Sequence, residues 1–173
     1  MTNQSGEALG QDFEEVFRQH HRFVFRTAYG ITGATQDAED VVQTVFLKLL
    51  QRDVPPDIRN APKAYLYRAA VNVSLNMVRS RKRHPVTGDV ESLEVPVHHA
   101  ETNHDEIQRL LIDAVAQLKP GAVEVLILRY EHNYSDAQIA KMLGRSRSAI
   151  AVTLHRSRAR LKKLLRAASG ESL

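Results

Sequence analysis

One stretch near the C-terminal end decides the fold: residues 135–165 read SDAQIAKMLGRSRSAIAVTLHRSRARLKKLL. Ser135 and Ser146 are residues that can cap the start of a helix. Gly144 lies between them, at a tight turn where a left-handed backbone conformation favours glycine. Apolar residues recur at helical spacing after each serine. The order of these features predicts a helix-turn-helix.

The second helix of this pair has a face that looks away from its apolar side. At 100° per residue, small and polar side chains share that face, and two arginines stand near the helix start. A helix of this kind fits the major groove, with flanking arginines on phosphates. The residues predicted to contact duplex DNA are Arg145, Arg147, Ser148, Ala151, Val152, His155, Arg156 and Arg158. A basic, solvated helical hairpin is the alternative interpretation.

Basic residues are concentrated in two windows that contain no acid. Residues 58–88 hold seven Lys and Arg and residues 137–170 hold nine, out of 24 in the chain. Between them, residues 85–118 hold seven acidic residues. Solvated helix surfaces usually mix both signs, so two windows of one sign indicate two contacts with a polyanion. Chance clustering on solvated faces is the alternative.

Apolar residues elsewhere also follow the helical period, and no segment alternates as a strand would. We therefore expect an all-α fold of two small helical domains joined by a flexible acidic linker. Helices are predicted at residues 12–30, 36–51, 61–83, 105–118, 121–130, 136–143 and 147–167. The expected organisation is a disordered tail over 1–11, a first domain over 12–84, a linker over 85–103 and a second domain over 104–168. Thr35 is predicted to cap the second helix.

The third predicted helix carries a polar stripe without a carboxylate. Its members are Tyr65, Arg68, Asn72, Asn76 and Arg79. Amides read base edges, arginines hold phosphates and a tyrosine ring can stack on an unpaired base. The stripe continues into the basic residues 81–83 and predicts a second nucleic-acid surface. An ordinary solvated helix face is the alternative.

Composition excludes several classes of site. Cysteine is absent, so disulfides and thiolate metal sites are impossible. Residues 1–11 lack the apolar core of a signal peptide, and no apolar run is long enough to cross a bilayer, so we expect no membrane insertion. No catalytic constellation is recognisable, so we expect neither enzyme activity nor a cofactor. A metal enzyme is a minor hypothesis, because its candidate ligands lie in or beside the linker. These ligands are His98, His99, Glu101, His104 and Asp105.

Two motifs carry a family resemblance. Residues 38–46, AEDVVQTVF, and residues 64–72, AYLYRAAVN, resemble region 2 of the sigma factors. Residues 118–165 resemble region 4, and a linker stands where region 3 would be. This combination is similar to the extracytoplasmic-function (ECF, group IV) factors of the sigma-70 family.

The resemblance implies a transcription initiation factor that binds core RNA polymerase, through its β′ clamp and β flap, and promoter DNA. Asp40, Gln43 and Leu47 would dock on the clamp, and the helix-turn-helix would bind the −35 element. A melted −10 strand would be bound by Arg59, Asn60, Lys63, Tyr65, Arg68, Asn72, Asn76 and Arg79. An anti-sigma factor is a further candidate partner, and the cytoplasm is the expected location.

Three positions depart from the family pattern. Tyr65 stands where the family often has Trp, and Thr44 where many members have Glu. Residues 149–153 read AIAVT where TVKSR is usual, so the −35 sequence that is recognised can differ. A helix-turn-helix regulator with an N-terminal sensing domain is the alternative hypothesis. The acid-free third helix argues against it, since a sensing domain has no need of such a surface.

Overall fold

The computed structural model describes residues 4–51, 61–83 and 102–170, and all regular structure in these ranges is helical. This confirms the expected all-α class. Among the described residues, no helix combines the length and the apolar character that crossing a membrane requires. The helices are α1 Gln4–Thr32, α2 Thr35–Leu50, α3 Pro62–Arg83, α4 Thr102–Ala116, α5 Pro120–Tyr130, α6 Asp136–Leu143 and α7 Arg147–Ala168.

The N-terminal domain consists of α1, α2 and α3, each packed against the other two. The ring of Phe46 meets Phe17 of α1 edge-on, with 4.8 Å between ring centroids. Burial of this apolar face fixes α2, whose opposite face remains in solvent. The core of the domain comprises Val24, Ala28, Ala38, Val41, Val45, Phe46, Leu49, Leu66 and Ala70.

Two details of this domain differ from the sequence-based predictions. Helix α1 begins at Gln4, so most of the segment predicted as a disordered tail has a helical backbone. No proline interrupts that segment, and adding residues to an existing helix is far easier than nucleating a new one. Thr35 is the first helical residue of α2 and not its cap, which is Ala34 without a side-chain hydrogen bond. The prediction was wrong because α2 begins one residue earlier than expected: the backbone N–H of Ala38 donates to the carbonyl oxygen of Ala34 at 3.0 Å, which makes Ala34 the cap.

The C-terminal domain consists of α4 to α7, and its helix caps follow the prediction. Ser135 and Gln138 form a reciprocal capping box at the start of α6. Gly144 ends α6 in the left-handed conformation, at φ +66°. The Ser146 hydroxyl accepts a hydrogen bond from the backbone N–H of Ala149 at the start of α7. The helix-turn-helix is therefore confirmed.

The two domains pack directly on each other, which the sequence did not predict. Tyr67, Val71 and Leu75 on α3, together with Ile31 on α1, belong to the same buried core as the helix-turn-helix. Helix α3 is thus apolar on two sides, one for each domain. The residues between α3 and α4 lie outside the described ranges. From the C-terminal domain this shared core takes Leu118, Val123, Val125, Leu126, Ile127, Leu128, Ile139, Ala140, Leu143, Ile150 and Leu154.

Candidate nucleic-acid and polymerase interfaces

The predicted −35 surface is an open face of α7. Ile150, Leu154 and Ser157 are buried at helical spacing, which turns the residues between them outwards. All eight predicted side chains, from Arg145 to Arg158, are exposed. Val152 is 47% exposed, which is high for an apolar side chain and suits contact with a thymine methyl group.

The polar stripe of α3 has a different environment, because it faces the C-terminal domain along part of its length. Asn72 and Asn76 are exposed, as a base-reading role requires. Tyr65 is half-buried and packs against the core of the N-terminal domain. Arg59 and Asn60 lie outside the described residues.

Three arginines of the N-terminal domain bind the ends of helices in the C-terminal domain. Arg68 Nη2 donates to the carbonyl oxygen of Leu143, the last residue of α6, at 2.9 Å. Arg79 donates to the carbonyl oxygens of Ala116, at 2.9 Å, and Leu118, at 2.8 Å, where α4 ends. Arg26 on α1 completes the set.

Arg26 Nη2 donates to the carbonyl oxygen of Glu131, the residue that caps the C-terminal end of α5. The last carbonyls of a helix have no partner within the helix and lie at the negative end of its dipole. A guanidinium is therefore a favourable partner for each of the three helix ends. Two of the three arginines, Arg68 and Arg79, are predicted −10 contacts.

Beside these arginines, Lys63 and His132 lie among aromatic rings. Lys63 Nζ donates to the hydroxyl of Tyr134 at 2.6 Å and lies 4.6 Å from the centre of the Phe23 ring. The Nε2 atom of His132 lies 2.9 Å from the hydroxyl of the buried Thr27. Burial, with the nearby charges of Arg26 and Lys63, lowers the pKa of His132 to about 4. The ring is therefore neutral at neutral pH.

The basic end of α3 is also engaged. Arg81 forms an ion pair through both guanidinium Nη atoms with the buried Asp37 of α2, and this hydrogen bonding raises the pKa of Arg81. Lys82 Nζ lies 3.3 Å from a carboxylate oxygen of Asp113 on α4. Arg81 and Lys82, in the expected extension of the stripe, therefore form ion pairs within the protein while remaining exposed.

The predicted polymerase contacts lie on the solvent face of α2. Asp40, Gln43 and Leu47 are all exposed, and Leu47 is 54% exposed. The three predicted contacts are therefore accessible on one helix, as a polymerase-binding role requires.

The family models for sigma-70 region 2 and sigma-70 region 4 match residues 16–84 and 108–161, respectively. The RNA polymerase sigma-E factor of Streptomyces coelicolor is 31% identical over 92% of this chain and 88% of its own length. The ECF RNA polymerase sigma factor SigL of Mycobacterium tuberculosis is 31% identical over 90% of each chain. This protein belongs to the ECF sigma factors of the sigma-70 family.

As an ECF sigma factor, the protein is a transcription initiation factor that binds core RNA polymerase and promoter DNA, and such factors are not catalysts. Region 2 occupies the place that the alternative hypothesis gave to a sensing domain. The fold is also similar to that of CnrH, solved in complex with the cytosolic domain of CnrY. That structure is 23% identical, with a TM-score of 0.50 over 91% of this chain and 90% of that one.

The sigma factor also has an apolar groove of about 830 Å³ between α1, α4, α5 and α7. Ile107 and Leu111 line one wall and are 57% and 42% exposed. Arg158 and Lys162 stand on the α7 side. Sequence reasoning missed this groove because helical spacing predicts an apolar face on α4 but does not show whether that face is covered.

Sequence reasoning also missed the interdomain residues Arg26, Glu131, His132 and Tyr134. Three of them lie in the loop between α5 and α6, where no periodicity marks a buried side chain. Within the described residues, no cluster of three or more His, Asp or Glu could hold a metal. The side chains of His98, His99, Glu101 and His104 lie outside the described residues.

Proposed function

We propose that this sigma factor divides promoter recognition among three surfaces. The exposed face of α2, with Asp40, Gln43 and Leu47, binds the clamp of core polymerase. The stripe of α3, extended by Lys63 and the outlying Arg59 and Asn60, binds the melted −10 strand. The exposed face of α7 binds the −35 element as duplex. The factor acts in the cytoplasm, where its polymerase and promoters are.

The observation that carries this proposal is the presence of two long cationic helices without acidic residues, one in each domain. On α7 the cations surround a convex face with Ala151 and Val152 at its centre, which suits the major groove. On α3 the exposed Asn72 and Asn76 present two amides one turn apart, which suits the edges of unstacked bases.

Melting needs no covalent chemistry from the protein. Extruding a base costs a few kcal/mol of stacking and pairing, and a pocket that stacks and hydrogen-bonds the extruded base offsets that cost. The partly exposed ring of Tyr65 and the two amides of Asn72 and Asn76 supply such interactions on α3. In duplex DNA the base faces are stacked and the Watson–Crick edges are paired, so the stripe would bind a separated strand better than a duplex.

The apolar groove suits an apolar segment of the polymerase β flap. Ile107 and Leu111 offer exposed apolar area, and the cations of α7 at its side would favour an acidic flank on the segment. An anti-sigma factor with an apolar, acidic helix would compete for the same groove.

Run-off transcription with purified core polymerase on a genomic promoter library tests the proposal. The protein should confer promoter-specific initiation on core enzyme, which a regulator of another kind could not do.

The double variant Asp40→Ala/Gln43→Ala should lose core binding while its helical circular dichroism is unchanged. Lys48→Ala, at an exposed position on the same helix, is the matched control and should bind core normally.

Open-complex formation tests the role of α3 separately. Asn72→Ala/Asn76→Ala should reduce permanganate reactivity of the melted −10 region while leaving closed-complex binding near the wild-type level. A permanganate pattern like that of the wild type would remove these amides from the proposed −10 surface.

A further inference from the structure

We infer that α7 discriminates between base pairs of the −35 element through the C5 methyl group of thymine, with Val152 as the reading side chain and Ala151 beside it. The ligand is therefore a duplex with a thymine at the position that faces Val152. The inference rests on the proposed function, which assigns this face of α7 to the −35 element, and it adds how the face distinguishes one base pair from another.

The centre of the proposed DNA face is poor in groups that can hydrogen-bond a base. At 100° per residue, the side opposite the buried stripe carries five exposed residues, Ser148, Ala151, Val152, His155 and Ala159. Three of the five side chains are hydrocarbon. Only Ser148 and His155 can hydrogen-bond, and Val152 lies one turn from each of them. The centre of the face can therefore discriminate between bases mainly by apolar contact.

The polar side chains at the start of α7 are already engaged within the protein. The hydroxyl groups of Ser146 and Ser148 lie 3.1 Å apart, and Ser146 Oγ also accepts the backbone N–H of Ala149. Arg145 Nη2 donates to Thr153 Oγ1 at 3.2 Å. That hydroxyl in turn donates to the carbonyl oxygen of Ala149 at 2.7 Å. Thr153 is half-buried beside the buried stripe, so its contact holds Arg145 at the flank of the DNA face and away from the centre.

The other cations also stand at the edges of the face. Arg147 and Arg158 lie on one side of it and Arg156 on the other, each about 80–100° from the centre. Phosphates flank the major groove on both sides, whereas base edges form its floor. The edges of the face are thus placed for phosphates and its centre for bases. Val152, 47% exposed, is the largest apolar side chain at the centre. Thymine is the one base that presents a methyl group in the major groove, so it is the base that this centre favours.

The methyl group can be removed from DNA without changing a hydrogen-bonding group, because uracil differs from thymine only at C5. Holoenzyme, reconstituted from core polymerase and the full chain, first selects −35 sequences from a promoter library that is randomised in that region. The best sequence is then remade with uracil in place of thymine, one position at a time. Competition binding gives the ratio of the dissociation constants of each uracil duplex and its thymine parent.

At one or two adjacent positions, uracil should weaken binding about three- to fivefold, the effect of losing one buried methyl contact. Val152→Ala should remove most of this penalty, because it shortens the side chain that contacts the methyl group. Arg147→Ala is the matched control on the same helix. It should weaken binding of the thymine and uracil duplexes equally, since a phosphate contact does not depend on the base.

Methylated cytosine tests the same contact by adding the group back. Cytosine in place of the contacted thymine should weaken binding by holoenzyme. Because 5-methylcytosine restores a methyl group at the same place in the groove, it should recover part of that loss. Val152→Ala should bind the cytosine and 5-methylcytosine duplexes equally.

Two results would overturn the inference while the proposed function stands. One is a selected −35 element in which no thymine shows a uracil penalty, although Arg147→Ala weakens binding. The other is a uracil penalty of equal size in the wild type and in Val152→Ala, because the methyl group would then contact another part of the complex. If holoenzyme selected no sequence at −35, or if Arg147→Ala bound every duplex like the wild type, the assignment of α7 to the −35 element would fail, and the inference with it.

Discussion

Helices α3 and α7 are alike in sequence and unlike in surroundings. Each has 22 residues, several Lys and Arg and no acidic residue, and each is proposed to bind promoter DNA. The proposed DNA face of α7 is in solvent, whereas two of the four arginines of α3, Arg68 and Arg79, donate to carbonyl groups of the other domain. Charge predicts that both helices bind nucleic acid, but it does not tell which surface is accessible.

The difference follows from the apolar residues of the two helices. On α7, buried residues form one stripe, and the remaining face is small or cationic. On α3, Leu66 and Ala70 pack into the N-terminal core while Tyr67 and Val71 pack into the core shared with the C-terminal domain. A helix with two apolar sides needs two partners, and the second partner covers part of the cationic stripe between them.

The largest expected effect breaks the contact at its centre. Tyr67→Ala removes a fully buried ring and should lower the free energy of unfolding by about 3–5 kcal/mol in urea titration. Tyr67→Phe keeps the ring and loses only the hydrogen bond to Glu124, so it should cost about 1 kcal/mol. Val152→Ala, on the open face of α7, should change stability by less than about 0.5 kcal/mol.

This series compares the two surfaces directly. If Tyr67→Ala were as mild as Val152→Ala, the shared core would contribute little to stability. The domains would then behave as separate bodies.

Sequence predicted most of the secondary structure correctly because its signals are local. The caps at Ser135, Gly144 and Ser146 depend on residues within one helical turn, and all three were confirmed. Thr35 failed as a cap because the helical hydrogen bonding of α2 begins at the carbonyl oxygen of Ala34, although alanine has no side chain that can cap a helix. The start of α1 was missed because weakly apolar residues before Phe13 give no periodic signal.

The packing of the two domains on each other could not be predicted from sequence. Its contacts join residues that are far apart in the chain, and several of them end on backbone carbonyl oxygens. Arg68 and Leu143 are 75 residues apart, and the partner atom is a carbonyl oxygen that every residue type possesses. No pairing of side-chain types in the sequence marks such a contact. The face of α7 was predictable for the opposite reason, since its exposure depends only on the buried stripe of the same helix.

Acidification should weaken the packing of the two domains on each other, because His132 of the C-terminal domain lies against Thr27 of α1. The pKa of His132 is about 4 where the two domains are packed together, against about 6.5 for an imidazole in water. Packing of the two domains on each other therefore releases a proton from His132 at pH values between about 4 and 6.5. The contribution of His132 to the stability of the interdomain packing is complete above about pH 6.5 and decreases as pH falls towards 4. At pH 5 the ratio of protein with packed domains to protein with separated domains should be on the order of tenfold lower than at pH 7.5.

Energy transfer between dyes attached through Gln36→Cys and Lys163→Cys, both exposed positions, measures this ratio. The charges that face His132 are Arg26 on α1 and Lys63 on α3. Burial also raises the pKa of Glu124, which acts in the opposite direction. His132→Gln separates the two, because it should remove the acid-induced opening. The same pH profile in wild type and His132→Gln would exclude His132 as its cause.

The smallest expected effect concerns the open surface alone. Arg147→Ala should reduce the salt dependence of −35 duplex binding by about one unit of the log–log slope, as expected for the loss of one phosphate contact. His155→Ala should weaken binding of the −35 duplex as well. Lys48→Ala on α2 removes an equal charge away from α7 and should leave the slope unchanged. Neither α7 variant should alter the energy transfer between domains, since α7 presents these side chains to solvent when the domains are packed together. A change in interdomain energy transfer caused by Arg147→Ala would mean that the proposed DNA surfaces of α7 and α3 are coupled.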